Sequence, residues 1–136
     1  MAWVVDTSVL LDLVTGDPQF EPASTLCLQG HLADGLVVCP VSFIELGPAF
    51  AGDDAAAEAF LRGTGLETGE PWTSRDTALA HRLWNDFHSR RRQSNLARRP
   101  VADVMIAAFA GRFQGIITRN GVDFRNIAPT LAVVAP

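Results

Sequence analysis

A chain of 136 residues, 48% hydrophobic and 19% charged, is sized for one domain with a buried core. That excludes a disordered linker, a fibre and a multidomain machine. The net charge of -4 argues against a nucleic-acid partner only until the charges are placed: all 11 basic residues are arginine, and Arg90, Arg91, Arg92, Arg98 and Arg99 fall in the acid-free stretch 87–102, leaving six arginines against 15 acids elsewhere.

In chain order, Trp3-Val4-Val5 reads as a strand that ends at Asp6-Thr7-Ser8. A helix through Val9-Leu10-Leu11-Asp12-Leu13-Val14 stops at Gly16 and Pro18, and a second runs over 21–33. Leu36 to Cys39 is a second buried strand closed by Pro40, followed by a helix over 42–50. An alanine-rich helix over 53–62 ends at Gly63 and Gly65, and 66–68 reads as a short strand. A long amphipathic helix over 74–92, capped by Ser74, carries Ala78, Leu79, Leu83, Trp84 and Phe87 as its apolar stripe. An arginine-rich loop to Pro100 leads into an apolar helix over 102–113, and strands follow at 115–118 and 131–134, the first of them leaving through an Asn120-Gly121 turn.

Continuous apolar strands alternating with helices indicate a parallel sheet covered on both faces. The fold class is therefore α/β, a single domain over 1–136. In such sheets the functional edge lies at the carboxyl ends of the strands.

Asp6 follows the first strand directly, Glu45 follows the second, Asp103 opens the apolar helix, and Asp123 follows the fourth strand. Each has a structural explanation of its own. Asp6 or its neighbours can cap a helix, Ser42 and Glu45 have the spacing of a capping box, and Asp103 suits a helix dipole. Together they gather acids at one edge, where two carboxylates about 4 Å apart repel by roughly 4 kcal/mol unless a proton or cation compensates. Oxygen ligands without a His or Cys pattern suit Mg²⁺ or Mn²⁺, and such ions serve phosphate chemistry. Thr7, Ser8 and Thr118 are the hydroxyls placed to hydrogen-bond phosphate or a metal-held water, or to cap helices and strand ends.

The segments Val4-Val5-Asp6-Thr7-Ser8, Ile44-Glu45-Leu46, Ala102-Asp103-Val104-Met105-Ile106-Ala107-Ala108 and Ile117-Thr118-Arg119-Asn120 with Asp123-Phe124 resemble the four motif regions of PIN-domain ribonucleases, in particular the VapC toxins of bacterial toxin-antitoxin pairs. The resemblance implies a three-layer α/β/α sandwich around a parallel sheet of four to five strands, and Mg²⁺-dependent endonucleolytic cleavage of RNA. It also implies a cognate antitoxin protein and a homodimer. By position, Asp6, Glu45 and Asp103 match the principal acids and metal ligands. At the fourth acidic position this chain has Asn120, so either Asn120 or Asp123 completes the set. The rival is a non-catalytic PIN-like module that binds RNA or a partner. A phosphatase on a similar sheet is disfavoured, because it would want a second Asp at position 8, which is Ser.

The arginine stretch leads into the Asp103 helix and is expected to bind RNA phosphates through planar guanidinium forks, the alternative being a solvated or antitoxin-facing surface. His81 and His88 are expected on a helix surface, and Trp3, Trp72 and Trp84 in the core or an interface. The spacing of Cys27, His31 and Cys39 does not suit zinc. No basic segment precedes the first strand and no apolar run nears the roughly 18 residues of a membrane span, so the expectation is a cytoplasmic protein with reduced cysteines.

Overall fold

The computed structural model describes residues 1–90 and 100–136. Among these are five strands, β1 (Trp3–Val5), β2 (Leu36–Val37), β3 (Leu66–Glu67), β4 (Gly115–Ile117) and β5 (Val133–Val134). Seven α-helices accompany them: α1 (Thr7–Thr15), α2 (Glu21–His31), α3 (Pro40–Glu45), α4 (Asp54–Gly63), α5 (Ser74–Arg90), α6 (Val101–Ala110) and α7 (Gly121–Ile127). The sheet is parallel throughout, in the order β3-β2-β1-β4-β5.

Two apolar layers cover it. Val4, Val37 and Ile116 share one with Phe87 of α5, Ile106 and Phe109 of α6 and Phe124 of α7. Trp3, Val5, Leu36, Leu66 and Ile117 share the other with Leu10 of α1, Leu28 of α2 and Leu61 of α4. Alternate residues of β1, β2, β4 and β5 thus feed opposite layers, which is why these strands carry no polar half, whereas edge strand β3 pairs buried Leu66 with exposed Glu67. The architecture is the expected three-layer α/β/α sandwich. Gly115 sits where a Cβ would come within 2.3 Å of the Ala132 carbonyl oxygen and 2.7 Å of the Trp3 ring, so only glycine lets β4 lie this close to both neighbours.

Chain order gives the sheet a reversal between β1 and β4, with β2 and β3 added on one side and β5 on the other. The crevice beyond the carboxyl ends of β1 and β4 is where an open α/β sheet binds its ligand. Asp6 leaves β1 there and Thr118 leaves β4.

Three local expectations are corrected. The helix expected over 42–50 begins at Pro40, whose fixed φ and missing N–H suit a first helical turn, and ends at Glu45, with a 3₁₀ turn over Gly47–Phe50. Ser42 and Glu45 therefore form no capping box: Cys39 holds the cap position, and the buried Ser42 hydroxyl has no hydrogen-bond partner among the described residues. The cap of α5 is Thr73 rather than Ser74, in a reciprocal box where the Asp76 carboxylate accepts from the Thr73 amide at 2.9 Å and the Thr73 hydroxyl accepts from the Asp76 amide at 3.2 Å. Its half-buried stripe includes Ala80 while Ala78 is exposed. Finally, Asn120-Gly121 is not a simple turn but the start of α7.

Candidate active site

Asp6 is 3% exposed and caps α1. Its Oδ1 accepts from the Thr7 amide at 2.8 Å, and its Oδ2 accepts from the Ser8 hydroxyl at 2.8 Å and the Thr118 hydroxyl at 2.7 Å. All three donors are neutral, and among the described residues no cation pairs with this carboxylate. A carboxylate has about four acceptor sites; three are filled, which leaves one on Oδ1.

Thr7 ties Asp6 to Glu45, because its amide binds the first and its hydroxyl donates to Glu45 Oε1 at 2.7 Å. Glu45 is exposed at the end of α3, and its carboxylate is directed to Thr7 across elements rather than back to its own helix. Thr118 is fully buried, and its hydroxyl oxygen accepts from the Asn120 amide at 2.9 Å while donating to Asp6. Thr7, Ser8, Thr118 and the Asn120 backbone therefore form one network around Asp6 and Glu45. The hydroxyl protons serve the carboxylates, which fixes the acids in place.

Asp103 stands half-buried in the first turn of α6, beside Val104, which is buried in the layer that holds Val4 and Cys39. Asn120 occupies the cap position of α7 without using its side chain as a cap. Asp123 is exposed one turn on, and with Asn120, Arg119 and Arg125 it lines an open cavity of about 370 Å³. Arg90 donates to the carbonyls of Asn126 at 2.5 Å and Ile127 at 3.5 Å, so it closes the carboxyl end of α7. Arg91, Arg92, Arg98 and Arg99 lie outside the described residues.

Cys39, at the cap of α3, is buried, which pushes its thiol up to about 11 and keeps it protonated at neutral pH, and the charges of Asp76 and Glu45 add to the rise. Burial also raises the Cys27 thiol.

Sequence reasoning missed two ion pairs. Buried Asp12 on α1 is held by Arg119, and buried Asp76 by Arg112, which also reaches Glu70 and the Pro71 carbonyl. A lone carboxylate inside the apolar run 9–14 was the available signal for Asp12. Its partner, 107 residues away, leaves no local trace.

The acids present test whether a hard cation suits this edge. Among the described residues no three His, Cys, Asp or Glu side chains form a group able to hold a metal. Mg²⁺, however, is commonly bound by one or two carboxylates with waters and substrate phosphates. A buried Asp6 that no cation pairs with among the described residues, linked to Glu45 through Thr7, meets that lesser requirement. No family model and no curated protein matches the chain. No described helix is long and apolar enough to cross a membrane.

Proposed function

We propose that this chain is a metal-dependent endoribonuclease of the PIN type, acting as the toxin of a toxin-antitoxin pair. The observation that carries the reading is Asp6: a buried carboxylate at the sheet reversal, held by three neutral donors and left without a cation among the described residues. A buried charge of that kind calls for a compensating ion. Asp6, Glu45 and Asp103 would hold Mg²⁺ or Mn²⁺, which supplies polarisation of the scissile phosphate and a bound water of lowered pKa for in-line attack.

The chain's own groups do the positioning. Thr118 and Ser8 orient Asp6 Oδ2, Thr7 sets the separation of Asp6 from Glu45, and Asn120 or Asp123 borders the substrate side. Arg91, Arg92, Arg98 and Arg99, with Arg90 at the root of their segment, are assigned to the RNA backbone, whose phosphates match guanidinium forks. The remaining surface is acidic and directs a polyanion to this side. An antitoxin or a second copy of the chain is the proposed partner of the groove lined by Leu13, Leu28, Leu32 and Phe60, and the proposed location is the cytoplasm.

Asn120 at the fourth acidic position, together with the lack of a three-ligand group among the described residues, favours one alternative, a non-catalytic PIN-like module that binds RNA or a partner. Purified protein incubated with a panel of structured RNAs in Mg²⁺, in EDTA, and as Asp6→Asn and Asp103→Asn separates the two. Cleavage restricted to the wild type with metal is expected. Equal cleavage in every arm, or none across the panel, overturns the nuclease reading.

A further inference from the structure

Asp12 and Arg119 form a bidentate pair, Nε to Oδ2 at 2.8 Å and Nη2 to Oδ1 at 2.9 Å. The Ser24 hydroxyl donates to the same Oδ2 at 2.8 Å, and the guanidinium carbon lies 3.9 Å from the centre of the Phe20 ring. The turn between β4 and α7 is thereby fastened to α1, to α2 and to the residue before α2 at one point.

Asp12 is buried while the Arg119 side chain is 30% exposed, and such a partly buried ion pair is often no more stabilising than an apolar pair of the same volume, so stability alone does not account for this arrangement. The planar fork adds geometry, since two parallel hydrogen bonds to a fixed carboxylate admit one orientation. Arg119 stands between Thr118, whose hydroxyl binds Asp6, and Asn120, whose amide binds the Thr118 hydroxyl. Its own amide donates to the Ser8 hydroxyl, which also binds Asp6.

We propose that the Asp12–Arg119 pair, clamped by Phe20 and Ser24, is a positioning device that sets the β4–α7 turn and, through Thr118 and Ser8, the orientation of the Asp6 carboxylate. Asp12 takes Nε and Nη2 of Arg119 and Phe20 covers one face of its guanidinium, so the fork is committed to holding the turn. The catalytic consequence rests on the ribonuclease reading; the geometric claim stands apart from it.

The test uses Asp12→Leu/Arg119→Met, which exchanges the pair for apolar groups, and Arg119→Lys, which keeps the charge and loses the fork. Amide hydrogen exchange, thermal unfolding and RNA cleavage are measured on each. At Arg119 and Asn120 exchange should accelerate about tenfold in both variants, while Ile106 and Ala107 of α6 remain at wild-type rates. The value of kcat should fall about tenfold or more with KM within about twofold, as misplacement of a catalytic group does. Wild-type exchange at the turn in a folded variant overturns the proposal, whatever the RNA result. If the double variant does not fold, Arg119→Lys decides alone. A looser turn with unchanged kcat removes the catalytic consequence. A looser turn in a protein whose wild type cuts no RNA upholds the positioning and defeats the ribonuclease reading instead.

Discussion

Three aspartates are almost wholly buried in this chain, and they are treated in two ways. Asp12 and Asp76 each face an arginine, and each arginine lies over phenylalanine, Arg119 over Phe20 and Arg112 over Phe109 and Phe113. Asp6, as deeply buried, receives among the described residues an amide and two hydroxyls and no cation. Neutral donors orient a carboxylate without cancelling its charge, whereas a guanidinium does both. The difference separates two carboxylates fastened to arginines from one that, among the described residues, is held by neutral donors alone, and that one stands at the sheet reversal.

The largest effect that can break the comparison is on Asp6 itself. Asp6→Asn should lower metal-dependent RNA cleavage by about 10³-fold, the scale of removing a principal electrostatic group. Its thermal midpoint should stay at or above that of the wild type, because a buried charge that no cation pairs with among the described residues is removed. Asp12→Asn should lower the midpoint. Equal destabilisation by both substitutions, read by calorimetry, would make Asp6 one more structural acid.

Next in size is a pH effect at Cys39, which feels the charges of Asp76 and Glu45 together. Its thiol rises from 9.0 to about 11 on folding, so between those values the unfolded chain has lost a proton that the folded chain keeps. Stability is full below about pH 9 and falls as pH rises, by about 2 kcal/mol from this group at pH 11. The chain contains no lysine and no tyrosine, so cysteine dominates titration in that window. Denaturant unfolding at pH 8 and pH 10.5 should show the loss, and Cys39→Ala should remove most of it.

Arg112→Ala leaves Asp76 buried beside the uncovered faces of Phe109 and Phe113. With the Arg112 side chain 32% exposed, water softens the penalty, and a loss of about 2–3 kcal/mol is expected. Cleavage of RNA should not change, which would confirm that this acid belongs to the packing. The smallest effect is at Thr118→Val, which removes one donor from Asp6 and one acceptor from Asn120. It should cost about 1–2 kcal/mol in urea unfolding and about tenfold in kcat. A kcat equal to wild type would show that Asp6 needs no orientation from β4.

The strands were legible because burial on both faces turns them into unbroken apolar runs, as at Val4-Val5 and Ile116-Ile117. Asp6 was legible because it follows such a run directly. Glu45 was legible as an acid at that edge, but its structural explanation was misread: Pro40 starts the helix two residues before Ser42, and a shift of two places turns a cap into a helix interior. The helix α7 was hidden behind Asn120-Gly121, since the same dipeptide suits a turn and a helix start. The long-range pairs were not legible at all, because Arg119 shares no period or motif with Asp12 and meets it only through the fold.

The bond between Thr118 and Asp6 closes a span of 112 residues. During synthesis the first strand and its aspartate leave the ribosome early, but the central β1–β4 pairing waits until β4 emerges. Until that pairing forms, the folding chain carries Asp6 without its orienting Thr118 hydroxyl. Whatever the oriented Asp6 carboxylate does therefore waits on the pairing of β1 with β4.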